Sequence, residues 1–188
     1  SAEKVLIGAL WGDSGPDGAD KALEWANAAL ADGDKVPAPL RATAMSMKGN
    51  ALYTKGDAKA AVEAFRAAAD LEPRNANALN NAAYIMAEQN ADLAKALDYA
   101  ERAVAVAPET PQFLDSLGFV LLKQAAAGDA KAYQRAEDAL KRSLLMQETA
   151  PALLHLGMVQ SATGRATEAR RSLERAKQLP NTAPDIAK

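Results

Sequence analysis

From residue 42 onward, apolar residues recur every three or four positions in stretches of about a dozen, and Gly, Pro, Asn or Asp interrupts each stretch. That period predicts helices in series. The Val/Ile/Thr alternation of a sheet is nearly absent, so the expected fold class is all-α, with at least eight antiparallel helices. The stretches also repeat one another. Blocks run over residues 42–75, 76–110, 111–149 and 150–183. In the first, Met45, Gly49, Leu52, Ala61, Phe65, Ala68 and Pro73 occupy positions 4, 8, 11, 20, 24, 27 and 32 of a 34-residue unit. The fourth repeats the arrangement with Leu153, Leu156, Gly157, Ala169, Leu173 and Ala176, departing at the polar Gln160 and at Pro180, which comes one position early.

The small residues have a physical meaning in such a unit. Gly49, Gly118 and Gly157 on the first helix, and Ala61, Ala96, Ala136 and Ala169 on the second, fall where two antiparallel helices approach closely. Leu114, Leu117, Leu121 and Leu140 fill the remaining space in the third block. A single pair cannot bury its apolar face, so the pairs are expected to stack.

Helix ends are also legible. Thr110-Pro111 and Thr149 followed by Pro151 read as N-caps with first-turn prolines. Gly56, Gly128 and Gly164, with Asn90 at the equivalent place in the second block, read as left-handed residues that end a first helix. The third block has three extra residues on each side of Gly128, which predicts a hairpin whose two helices both project one further turn.

Residues 1–41 are less regular. Helices over 2–10 and 17–31, a turn over 11–18 and a linker over 32–39 describe either a degenerate helix pair or the frayed end of a longer array. The opening Ser1-Ala2-Glu3 has neither an initiator Met nor a signal peptide, and is expected of an excised segment. Residues 184–188 read as a tail.

These signature positions resemble the tetratricopeptide repeat (TPR). The resemblance implies an α-solenoid, a right-handed superhelix of antiparallel helix pairs, with four units over residues 42–183. It also implies a concave groove lined by positions 2, 5, 6, 9, 12 and 13 of each first helix. Here those positions include Thr43, Ser46, Asn50, Tyr53, Asn77, Asn80, Asn81, Tyr84, Gln112, Asp115, Ser116, Phe119, Lys123, Leu154, His155 and Met158. Asparagine donates and accepts at once, so a row of amides suits an extended peptide whose sequence is not read. The candidate peptide-binding residues are Asn50, Tyr53, Asn77, Asn80, Asn81, Tyr84, Asp115, Phe119 and His155. The competing reading is that Asn80 and Asn81 link adjacent helices. The cations that clamp a chaperone's C-terminal carboxylate are missing: Ser46, Asp115 and Ser116 stand in their places.

Composition narrows the function further. Aromatics are only 5% and alanine supplies much of the apolar share, which fits close helix packing. The net charge of −2, with both signs interspersed, gives no footprint for nucleic acid or an anionic membrane. A basic stripe at Arg170, Arg171, Arg175 and Lys177 is interrupted by Glu168 and Glu174. No apolar run reaches the roughly 20 residues that span a bilayer. With no Cys and one His, neither a catalytic triad nor a His- or Cys-rich metal site can be assembled. Gly12, Gly15 and Gly18 lack the strand and the Lys-Ser/Thr ending of a phosphate loop. Carboxylates such as Asp98 and Glu101 read as solvated surface. The expectation is a non-enzymatic scaffold for a protein or peptide partner, without cofactor, nucleic acid or membrane insertion. An accessory domain of a larger enzyme is the alternative. Zero cysteines leave both cytoplasm and periplasm open. Residues 79–84, 96–103 and 113–119 resemble the terminal repeats of bacterial envelope TPR proteins linked to exopolysaccharide production and protein sorting, which points toward the envelope. Phe119 stands where those proteins usually carry Trp.

Overall fold

The computed structural model describes residues 16–179. The expected helix over 2–10, residues 11–15 of the first turn, Pro180 and the tail lie outside the described residues. Among the described residues there are nine α-helices, one 3-10 turn and no strand. They form two compact units, residues 16–82 and 83–179.

In the first unit, α1 (Pro16–Leu30) packs on α2 (Ala38–Thr54), and α2 on α3 (Ala58–Leu71). The segment read as a linker is shorter than expected. It contains a 3-10 turn at Gly33–Lys35, and α2 starts at Ala38 with Pro39 in its first turn, where a missing N–H costs nothing. Ala29 and Ala44 are buried together, with Leu30, Leu40 and Met47 packed against them. Lys48 Nζ donates to Asn27 Oδ1 at 3.1 Å, and Lys55 pairs with Asp20, so polar contacts flank that seam. Between α2 and α3 the small residue acts as expected: a Cβ at Gly49 would lie 2.8 Å from the fully buried Phe65 ring. Gly56 ends the first helix with φ 84°, and Asp57 caps α3 by accepting from Ala60 N.

α4 (Ala76–Glu88) begins in the first unit and ends in the second. Its start is capped by Asn75, whose Oδ1 accepts from Ala78 N at 3.0 Å. The second unit continues with α5 (Leu93–Val106), α6 (Pro111–Ala126), α7 (Ala132–Met146), α8 (Ala150–Ala162) and α9 (Ala166–Gln178). Helix α6 packs on α5, α7 and α8, and α9 on α8. Leu114, Val120, Leu121, Leu140 and Val159 form its interior. Asn90, Gly128 and Gly164 have positive φ, as the turn reading requires, and Asp92 joins them at φ 41°.

Two local expectations need correction. Thr110 occupies the N-cap position, but its side chain makes no capping bond, whereas Thr149 accepts from Ala152 N. In the long third pair only the first helix projects a full extra turn: α6 has 16 residues against 13 in α8. Beyond Gly128 most of the added residues form a turn closed by Ala132 N donating to Asp129 O at 2.8 Å, since this turn satisfies the donor before the helix begins.

The polar departure at Gln160 is explained by its neighbour. Gln160 and Ser172 are both buried, and Ser172 Oγ donates to Gln160 Oε1 at 2.8 Å, so the α8/α9 contact tolerates a paired polar atom where the first block has Leu52. Glu137 on α7 is 4% exposed. Arg165 meets it with two donors at 2.8 and 2.6 Å, and Lys141 Nζ lies 2.7 Å away. The Arg165 hydrogen bonds are the main cause holding the Glu137 carboxyl down to about 2.

Candidate functional site

The candidate residues fall into one group in each unit. In the first, Asn81 Nδ2 donates to Asn50 Oδ1 and Asn80 Nδ2 to Asn81 Oδ1, both at 3.3 Å. The amides thus link α2 to α4, and Asn80 and Asn81 are each only 8% exposed. Asn75 Nδ2 adds a contact to Ser46 Oγ at 3.4 Å. Asn80 Oδ1 is buried without a partner, an unmet acceptor at the end of the chain of amides. Tyr53 is half-buried along α2, and Asn77 is exposed in the first turn of α4.

In the second unit three successive first helices each contribute a ring. The Tyr84 and Phe119 centroids are 5.1 Å apart and tilted by 32°, and those of Phe119 and His155 are 4.6 Å apart and stacked at 26°. These spacings are in the range where aromatic pairs attract beyond their buried area. Lys123 Nζ sits 5.3 Å from the Phe119 centroid, one turn along α6, and adds a cation–π contact. Asp115, one turn before Phe119 on the same helix, meets His155 Nδ1 at 2.8 Å. Asp115, Phe119 and His155 are all under 9% exposed, so this face is far more closed than a solvated groove. The cause is mutual: side chains from neighbouring first helices reach across and satisfy one another.

The electrostatics set the protonation of Tyr84. Burial first, then the negative charges of Glu88 and Asp115, push its phenol up to about 12. Tyr84 therefore keeps its O–H at neutral pH and can donate. A depression of about 500 Å³ opens beside the rings, lined by Tyr84, His155, Leu154, Leu173, Lys177 and Leu179 among others. Leu154 and Met158, one turn apart on α8, remain 45% and 41% exposed.

The pairing of Asp115 with His155 is not evident along the chain, because 40 residues separate them. The signal that finds it is the register: they sit at positions 5 and 6 of consecutive blocks, which the repeat brings side by side. Lys177, Leu173 and Leu179 also escape a reading of the sequence that takes second helices only as packing elements. Asp115 is the only side chain hydrogen-bonded to His155 among the described residues. The described residues also contain no cluster of three or more His, Cys, Asp or Glu able to hold a metal, and no helix long and apolar enough to cross a membrane.

A family model described as a tetratricopeptide repeat matches residues 42–75. No curated protein sequence matches the chain. Several solved structures share the fold. MamA, from residue 41 to its end, of Desulfovibrio magneticus RS-1 is 17% identical, with 95% of this chain and 92% of that one covered and a TM-score of 0.72. TTC0263, a thermophilic TPR protein of Thermus thermophilus, is 20% identical over 99% and 95% of the two chains, with a TM-score of 0.68. YrrB, described as a TPR protein with an unusual peptide-binding site, is 18% identical over 89% and 80%, with a TM-score of 0.64. Residues 42–75 thus match a tetratricopeptide repeat, and the chain shares the all-α fold of solved tetratricopeptide-repeat proteins.

Proposed function

We propose that this chain is a protein-interaction scaffold whose first helices bind a peptide or protein segment, as part of a bacterial envelope assembly. The observation that carries the reading is in the second unit, where polar groups with unused hydrogen-bonding capacity meet exposed apolar side chains. Tyr84 O–H and His155 Nε2 have no partner among the described residues, and Leu154 and Met158 are exposed nearby on α8. A few oriented polar groups over an apolar surface are what a recognition site needs. In the first unit Asn50, Asn77, Asn80 and Asn81 supply amides. The solved structure of YrrB supports the reading by fold alone, and the envelope-protein resemblance of residues 79–84, 96–103 and 113–119 supports the setting.

The test begins with peptides selected from a random phage-displayed library on the immobilised chain. The Asn80→Ala/Asn81→Ala variant and Tyr84→Ala should each weaken the selected peptide by about 1 to 3 kcal/mol, through lost hydrogen bonds and lost ring contact. Affinity should change little between low and high salt, because amides and rings release few counterions. Unchanged affinity in both variants, with helical content intact, would place the contact elsewhere.

A further inference from the structure

The depression beside the ring column combines an apolar floor with three polar groups that have no hydrogen-bond or ion-pair partner among the described residues. The floor is Ala150, Pro151, Leu154, Leu173, Ala176 and Leu179. His155 is only 5% exposed, yet its Nε2 has no hydrogen-bond partner among the described residues and is not among the atoms sealed from solvent. Because Asp115 accepts at Nδ1, the neutral imidazole carries its proton there and keeps the Nε2 lone pair as an acceptor. Tyr84 retains a phenolic O–H. Lys177 lines the opening and forms no ion pair among the described residues, whereas Arg165, Arg170 and Arg175 all pair with glutamates. A volume of about 500 Å³ holds one large apolar side chain together with the backbone that carries it.

We infer that this depression takes an aliphatic side chain of an extended partner segment that has an acidic residue beside it. The partner's peptide N–H donates to His155 Nε2, a peptide carbonyl accepts from Tyr84 O–H, and the acidic side chain pairs with Lys177. Asp115 is a positioning residue, fixing the tautomer that leaves Nε2 free to accept. This inference rests on the scaffold reading and adds the chemistry of the partner to it.

The experiment is the same library selection run in parallel on the parent chain and on Lys177→Glu, an exposed rim position whose replacement leaves the core untouched. The parent should enrich sequences that place an acidic residue beside Leu, Ile or Val. Lys177→Glu should enrich basic residues in that place. A peptide selected on the parent should bind His155→Gln about tenfold more weakly, since the amide can still serve Asp115 but removes the ring acceptor. The pocket assignment is overturned if the parent's sequences show no such pairing, if Lys177→Glu selects the same set, or if His155→Gln binds unchanged. Peptides that bind the parent while ignoring all these changes remove the pocket alone. A parent chain that selects no peptide removes the scaffold reading with it.

Discussion

Replacing Gly118 by alanine should lower the stability of the second unit by about 1 to 3 kcal/mol, the opposite of what glycine-to-alanine exchange does inside an ordinary helix. In an unconstrained helix interior the exchange gains about 0.5 to 1 kcal/mol, because alanine has less backbone freedom to lose. Here the new Cβ would lie 2.5 Å from Leu140 Cγ and 3.2 Å from the Ala136 carbonyl oxygen. Leu140 and Ala136 are both fully buried, so neither can move aside without disturbing the α6/α7 seam. Gly118→Leu should cost more still. A fall in the thermal midpoint by circular dichroism checks the direction. An unchanged or raised midpoint for Gly118→Ala would mean that the two helices do not approach as described.

The second large effect concerns acid. Glu137 is nearly sealed from water, and its carboxyl is held down to about 2 from an ordinary 4.5, first by hydrogen bonds from Arg165. A depressed carboxyl stabilises the fold fully above the unfolded-state value and loses that contribution as pH falls from about 4.5 toward 2. The difference corresponds to about 2 to 3 kcal/mol, allowing for the solvent that reaches the Arg165 side of the pair. Glu137→Gln should therefore reduce stability at pH 7 by that order and flatten the acid limb between pH 4.5 and 2. Arg165→Ala should flatten the same limb by removing the cause of the depression. Urea unfolding at several pH values reads both. Parallel pH profiles for the parent and the variants would assign the acid sensitivity to other carboxyls.

The fold is readable because repetition turns weak local signals into strong ones. One glycine in a helix means little, but Gly49, Gly118 and Gly157 recur eight positions into their blocks, and each faces a large side chain of its partner helix, Phe65, Leu140 or Leu173. The left-handed residues are legible for the same reason, down to Asn90 standing in for glycine. Where the pattern lacks repetition it misleads. The residues added after Gly128 have no counterpart in the other blocks, and their spacing predicts helix where the chain closes a turn.

The candidate site is legible in position but not in state. Mapping the register picks out Asn50, Asn80, Asn81, Tyr84, Asp115, Phe119 and His155, and the structure joins them into two hydrogen-bonded and ring-stacked groups. What the register does not encode is how far a side chain reaches. An asparagine facing an asparagine one unit away satisfies part of its own demand, as Asn81 does with Asn50. His155 likewise spends one nitrogen on Asp115, and its other nitrogen has no hydrogen-bond partner among the described residues. Burial of these polar groups follows from that pairing.

Whether the first helices carry the partner can be read from amide chemical-shift mapping of the isotopically labelled chain titrated with a library-selected peptide. The largest shifts should fall at Tyr84, Phe119, Leu154, His155 and Met158, with further shifts at Asn80 and Asn81. Shifts confined to the outward residues of the second helices, such as Glu101, Arg135 and Asp138, would contradict that placement.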